Sequence, residues 1–141
     1  MKPKIAPFQM TSHIITDSEF KVKDGFSNKK LKPDLDISPT FEVYEDENHL
    51  TGKLELEIKF NLKSGRTIFI GFKAKIIGTF VSPKKIGKDK FIKFLKYSGT
   101  PMLIQIVRSF LMSLSSQSGL IPPIVLPMID SSSCYHEPEN D

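Results

Sequence analysis

The chain has a single cysteine, Cys134, and no tryptophan in its 141 residues. One thiol excludes an intrachain disulfide, and a reducing compartment is the simplest home for such a sequence. His13, His49 and His136 are scattered, so no metal-ligand spacing exists and no metal or other cofactor is expected. Glycine-rich phosphate loops are missing too, because PKKIGKDK carries one glycine and no run of backbone donors. No stretch approaches the ~18 apolar residues of a membrane-spanning helix. The opening MKPKIAPFQM has two lysines but lacks the apolar centre of a signal peptide. The expectation is a soluble cytoplasmic protein without membrane insertion.

Hydrophobic residues make up 39% of the chain and charged residues 26%, the proportions of a folded domain rather than a disordered segment. The aromatics are eleven Phe and three Tyr, and Phe, which has no polar handle, suits cores and apolar surfaces. The formal charge is +4 and is unevenly placed. Lys84, Lys85, Lys88, Lys90, Lys93 and Lys96 crowd into PKKIGKDKFIKFLK, whereas the terminal HEPEND is acidic. The lysine run reads first as a solvated face. A contact for nucleic acid or an acidic partner is the alternative.

Period-two alternation is clearest in KLELEIKFNLK, with Leu54, Leu56, Ile58, Phe60 and Leu62 on one face and charged residues on the other. Ser64 and Gly65 then connect to the β-branched RTIFIGFKAKIIGTFV. A long hairpin is expected, with residues 53–63 pairing to 66–81. Two weaker strands precede it. Residues 13–22 place Ile14, Phe20 and Val22 on one face, and residues 35–44 place Leu35, Ile37, Phe41 and Val43 together. Pro39 marks the latter as an edge strand or a bulge.

The period changes in the C-terminal third. Residues 89–96 form a short helix with lysines outward, stopped by Gly99. Thr100 and Pro101 then cap and open a second helix, with Leu103, Ile106, Val107, Phe110, Leu111 and Leu114 on one stripe. Arg108 falls on its far side, and Gly119 closes it. Four strands followed by two helices predict an α+β domain, an antiparallel sheet covered on one face by the helices. The other face carries Phe69 and Ile77 among charged residues, so it could stack on a second copy. The organisation expected is an arm over 1–11, one domain over 12–130 and a flexible acidic tail over 131–141.

GLIPPIVLPMID, residues 119–130, is apolar yet contains Pro122, Pro123 and Pro127, which forbid a helix or central strand. Such an extended strip either lids the core or forms one wall of a groove. Catalytic constellations are thin. Cys134 and His136 are close in a terminal segment without a scaffold to hold them in a reactive geometry. Asp34 with Asp36, and Glu55 with Glu57, read as solvated strand faces.

The order of elements resembles SecB, the bacterial protein-export chaperone, and its SecB-like relatives. IITDSEFKV matches the first strand, KPDLDI leads the second, KLELEIKFNLKSGRTIFIGFKAKIIGTF forms the central hairpin, and SGTP, Arg108 and GLIPPIVLPMID follow. The resemblance implies a homotetrameric dimer of dimers that holds unfolded polypeptide in long apolar grooves without ATP, catalysis or cofactor. It places client-binding residues at Phe91, Phe94, Leu95, Tyr97, Leu120, Ile121, Ile124 and Leu126. SecB docks acidic sheet residues on the SecA motor. Asp17 and Ile70 match motor-docking positions, but Lys21 and Phe72 stand where the family has glutamates. That charge reversal argues against SecA as a partner. Some relatives guard an antitoxin, so either an antitoxin or an export precursor is an expected client. A nucleic-acid-binding module built on the Lys/Phe-rich first helix is a competing reading. An adaptor for one folded partner is another.

Overall fold

The computed structural model describes residues 1–135. Strands β1 (Gln9–Val22), β2 (Lys32–Glu45), β3 (His49–Ser64) and β4 (Thr67–Pro83) form one antiparallel sheet in the order β1-β4-β3-β2. A helical rod follows and packs on one face, giving the expected α+β architecture. The hairpin of β3 and β4 is central. Its alternation buries Leu54, Leu56, Ile58 and Phe60 from one strand and Phe72, Ala74, Ile76 and Phe80 from the other. Each of these side chains except that of Ala74 contributes about 1.5–3 kcal/mol on leaving water. Gly65, at φ 62°, supplies the left-handed backbone at the tip, where Ser64 pairs with Thr67.

β2 lies on the edge, where Pro39 opposes Leu56 without interrupting the ladder. A proline is tolerated there because no further strand needs its missing donor. β1 departs from expectation. Its register slips between Met10 and Ser12 and again between Ile15 and Asp17, and each inserted residue reverses which face the chain presents. Ile15 therefore packs on the core beside Phe20, while Ile14 pairs with Ile77 on the opposite face and stands exposed. Uninterrupted alternation had grouped Ile14 with Phe20.

Because β1 and β2 occupy opposite edges, residues 23–31 must cross the sheet. Phe26 in this crossover lies over Phe69, ring centroids 6.5 Å apart. Phe69 is the extra residue at a slip in the β3–β4 ladder, and its carbonyl accepts a 2.7 Å hydrogen bond from the Lys23 N–H.

The two expected helices are one continuous rod: α1 (Lys88–Phe94), a π-helical turn (Leu95–Gly99) and α2 (Thr100–Gln117). Gly99 keeps right-handed helical torsions and stops nothing. Pro101 lacks an N–H and would clash with a carbonyl in a regular turn. The wider turn, in which the Thr100 N–H donates to the Leu95 carbonyl, takes up that mismatch. Thr100 is thus no cap but a buried residue within the rod.

Glycine sets how closely the rod approaches the sheet. A Cβ at Gly78 would lie 2.7 Å from Leu103, and one at Gly52 would lie 2.7 Å from Leu95. Both leucines are fully buried and have nowhere to retreat. Gly78→Val is expected to lower stability by about 1–3 kcal/mol through overpacking. Urea unfolding followed by far-ultraviolet circular dichroism measures the shift.

Candidate functional site

After Gly119, at φ 95°, the chain reverses and runs back along α2. The Ile124 N–H donates to Ser115 Oγ at 2.8 Å. Arg108 Nε reaches the Leu126 carbonyl at 3.1 Å, and its Nη2 reaches the Pro127 carbonyl at 2.9 Å. Gln105 Oε1 accepts from Nη1 at 2.8 Å and steadies the guanidinium. Tyr135 and Thr100 then share a 2.5 Å hydrogen bond between hydroxyls. Contacts at Ser115, Arg108 and Thr100 thus meet successively later parts of the segment, an antiparallel strap along the rod. Arg108 is not a solvated far-side residue but the main anchor of this strap.

The strap is both lid and wall. Leu126 is fully buried, while Ile124 and Ile129 pack partly on the core and Leu120 is half-buried. Ile121 is 96% exposed, Met128 85% and Val125 51%. Val125 and Met128 were missed by the sequence reading. Strap positions between anchored ones could have flagged them, but the anchors were not recognised.

The first-helix candidates divide in the same way. Phe91 and Leu95 are fully buried on the sheet-facing side of the rod, so with Leu126 they support the fold and present no surface. Phe94 is half-buried under Phe8, whose ring stacks on it at 5.4 Å and on Phe80 at 5.1 Å. Tyr97 is 45% exposed, with Tyr135 edge-on at 6.0 Å. Both terminal segments therefore cover part of the candidate surface. Residues 131–135 form a 3-10 turn docked on the rod. The rest of the expected acidic tail, including His136, lies outside the described residues. Burial pushes the Cys134 thiol up, with the Asp130 charge adding to it, the wrong direction for a nucleophile.

The motor-docking pair is not assembled. Asp17 lies on the outer sheet face opposite Lys75, whereas Ile70 is buried on the core face together with Phe72. Strict alternation along β4 puts these positions on opposite sides of the sheet. The paired carboxylates serve cross-strand contacts: Asp34 binds Lys63 at 2.9 Å and Glu57 binds Lys75 at 3.4 Å. In the lysine run, Lys84 pairs with Glu45 at 3.0 Å, and Lys96 lies over the Phe41 and Tyr135 rings. Among the described residues no helix is long and apolar enough to cross a membrane, and no group of three potential ligands could hold a metal.

No protein-family model matches the sequence, and no curated protein is significantly similar to it. Solved structures do match. The Mycobacterium tuberculosis Rv1957 SecB-like chaperone, in complex with a ChAD peptide from the Rv1956 HigA1 antitoxin, superposes with a TM-score of 0.67. That match covers 88% of this chain and 91% of the other at 13% identity. This chain has the SecB-like fold. A Streptococcus agalactiae protein of unknown function matches with a TM-score of 0.52 at 10% identity, covering 86% of this chain and 97% of that one.

Arg108→Ala is expected to release the strap. Two strap carbonyls, one part-buried and one exposed, lose a charged donor, at a cost of about 1–3 kcal/mol. Limited proteolysis should then cut within residues 119–130 of a protein whose sheet signal is intact.

Proposed function

We propose that the chain is an ATP-independent holdase that binds unfolded polypeptide on the apolar surface of the strap and rod. The observation that carries this reading is the arrangement of the strap. Polar side chains fix its backbone, and Leu126 alone is driven fully inward, so Ile121, Val125 and Met128 stay in water. Exposed Met102 and Met112 on α2 extend the apolar inventory. Flexible thioethers and aliphatic groups accept many sequences, because they impose no directional hydrogen bonds. Individual contacts are weak, and an extended client gains affinity by making several at once.

Support for the client class comes from the SecB-like fold, since the Rv1957 chaperone of that fold holds an antitoxin peptide. An antitoxin or a similar aggregation-prone segment is the client we favour over an export precursor. The surface is completed in a cytoplasmic dimer of dimers, as the resemblance to SecB implies, and holding a client needs no catalytic group. The nucleic-acid reading loses its stacking platforms. Phe91 is buried, Phe94 lies under Phe8, and Tyr97 meets Tyr135.

The test is suppression of aggregation of a chemically unfolded client without nucleotide. Wild-type protein at stoichiometric amounts should hold light scattering down. Ile121→Ser with Met128→Ser should lose most of that protection without lowering the melting temperature, because both side chains already face water. Full protection by the double variant overturns the assignment of the surface, and no protection by wild type overturns the function.

Terminal cover generates a separate expectation. Deleting residues 131–141 removes Tyr135 from Tyr97, and client affinity should rise by about threefold to tenfold. Fluorescence anisotropy with a labelled unfolded client measures it.

A further inference from the structure

The sheet face opposite the rod carries a feature that client binding does not use. An open cleft of about 780 Å³ lies over β1, β4 and β3 near the crossover, larger than the neighbouring one of about 430 Å³. Lys21, Lys23, Lys59 and Lys73 line it, against a single carboxylate, Glu19. That carboxylate is already committed to Lys21 at 2.7 Å. Among the described residues, Lys23, Lys59 and Lys73 form no ion pair within 4.0 Å. Lys59 and Lys73 are direct cross-strand partners on the two central strands. Like charges placed opposite each other destabilise a sheet. Other lysines of this face lie within ion-pair distance of a carboxylate, as Lys63 and Lys75 do; Lys59 and Lys73 do not, although Asp36 and Glu19 stand opposite them in the neighbouring ladders.

The cleft also has an apolar component. Val22 and Ile68 stand exposed at its margin, whereas Phe69 at its floor is buried, with Lys23 5.9 Å above its ring centre. A buried ring offers no face on which a base could stack, which disfavours single-stranded nucleic acid. Free ammonium groups interleaved with aliphatic side chains complement a peptide bearing carboxylates and apolar residues in alternation. We propose that this outer-face cleft docks an acidic, partly apolar segment of a partner protein, independently of the client surface on the other side of the sheet.

The probe is a fluorescein-labelled dodecapeptide alternating acidic and aliphatic residues, titrated with full-length protein at low and high salt and read by anisotropy. Its affinity should fall with salt. Lys59→Glu should weaken it by about tenfold or more with the sheet signal in circular dichroism intact, because the substitution exchanges repulsion with Lys73 for repulsion with Asp36. Ile121→Ser with Met128→Ser should change it by less than about twofold. Unchanged affinity in the Lys59→Glu protein overturns the proposal. Equal binding of a twelve-nucleotide oligothymidylate, lost through the same substitution, also overturns it and makes the cleft a polyanion site. A change in oligomeric mass caused by Lys59→Glu overturns it in favour of an interface between copies of this chain.

Discussion

Leu95 and Leu103 rest where the central strands carry no Cβ, at Gly52 and Gly78, and this contact determines how deeply the helical rod sits on the sheet. The depth brings Gly99 against Phe80 and Leu54, so the rod must continue through a glycine that would otherwise end it. It also turns Thr100 inward, leaving its hydroxyl to find Tyr135 rather than a helix terminus. With the inner face of α2 fully engaged, its flank at Arg108 and Ser115 becomes a rail for the returning chain. The strap, and with it the exposed apolar surface, follows from the glycine contact.

The strap separates two demands that usually conflict. An apolar segment is normally held by burying its side chains, which removes them from any ligand. Here backbone groups bear much of the load: Arg108 takes two carbonyls, and Ser115 takes the N–H of Ile124. Pro122, Pro123 and Pro127 have no N–H to satisfy, so the segment has fewer donors that need a partner. Only Leu126 is spent wholly on the core. The remaining aliphatic side chains are free to meet a partner while the main chain stays in place.

Much of this arrangement was legible in the sequence. Alternation in β3 located the hairpin, Pro39 marked an edge strand, and the prolines of 119–130 predicted an extended segment. What failed were inferences that treated one residue type as decisive. Gly99 and Pro101 read as a helix break because local propensity says so, but packing on Phe80 and Leu54 and a widened turn kept the rod whole. Ile14 was misplaced because a bulge adds one residue and leaves no trace in composition. Among the client-binding candidates, which the resemblance supplied, neither period nor apolarity could tell buried Leu126 from exposed Ile121. That distinction depends on Arg108 and Ser115, which are far away in sequence. The outer-face cleft was invisible for a related reason: Lys59 and Lys73 become neighbours only once the hairpin register is known.

The strand order has a consequence for the time course of synthesis. β1 leaves the ribosome first, yet it pairs with β4, so Gln9 waits for Val81, which is 81 − 9 = 72 positions later. The β2–β3 hairpin can close before β4 has emerged, whereas β1 has no partner until β4 does. Phe8 travels with that late strand and reaches Phe80, Phe91 and Phe94 only when it docks. The nascent chain therefore passes through a stage with β2 and β3 paired while Phe8 and the apolar residues of β1 are still uncovered. During that interval it displays the same kind of surface that it is proposed to shield in others.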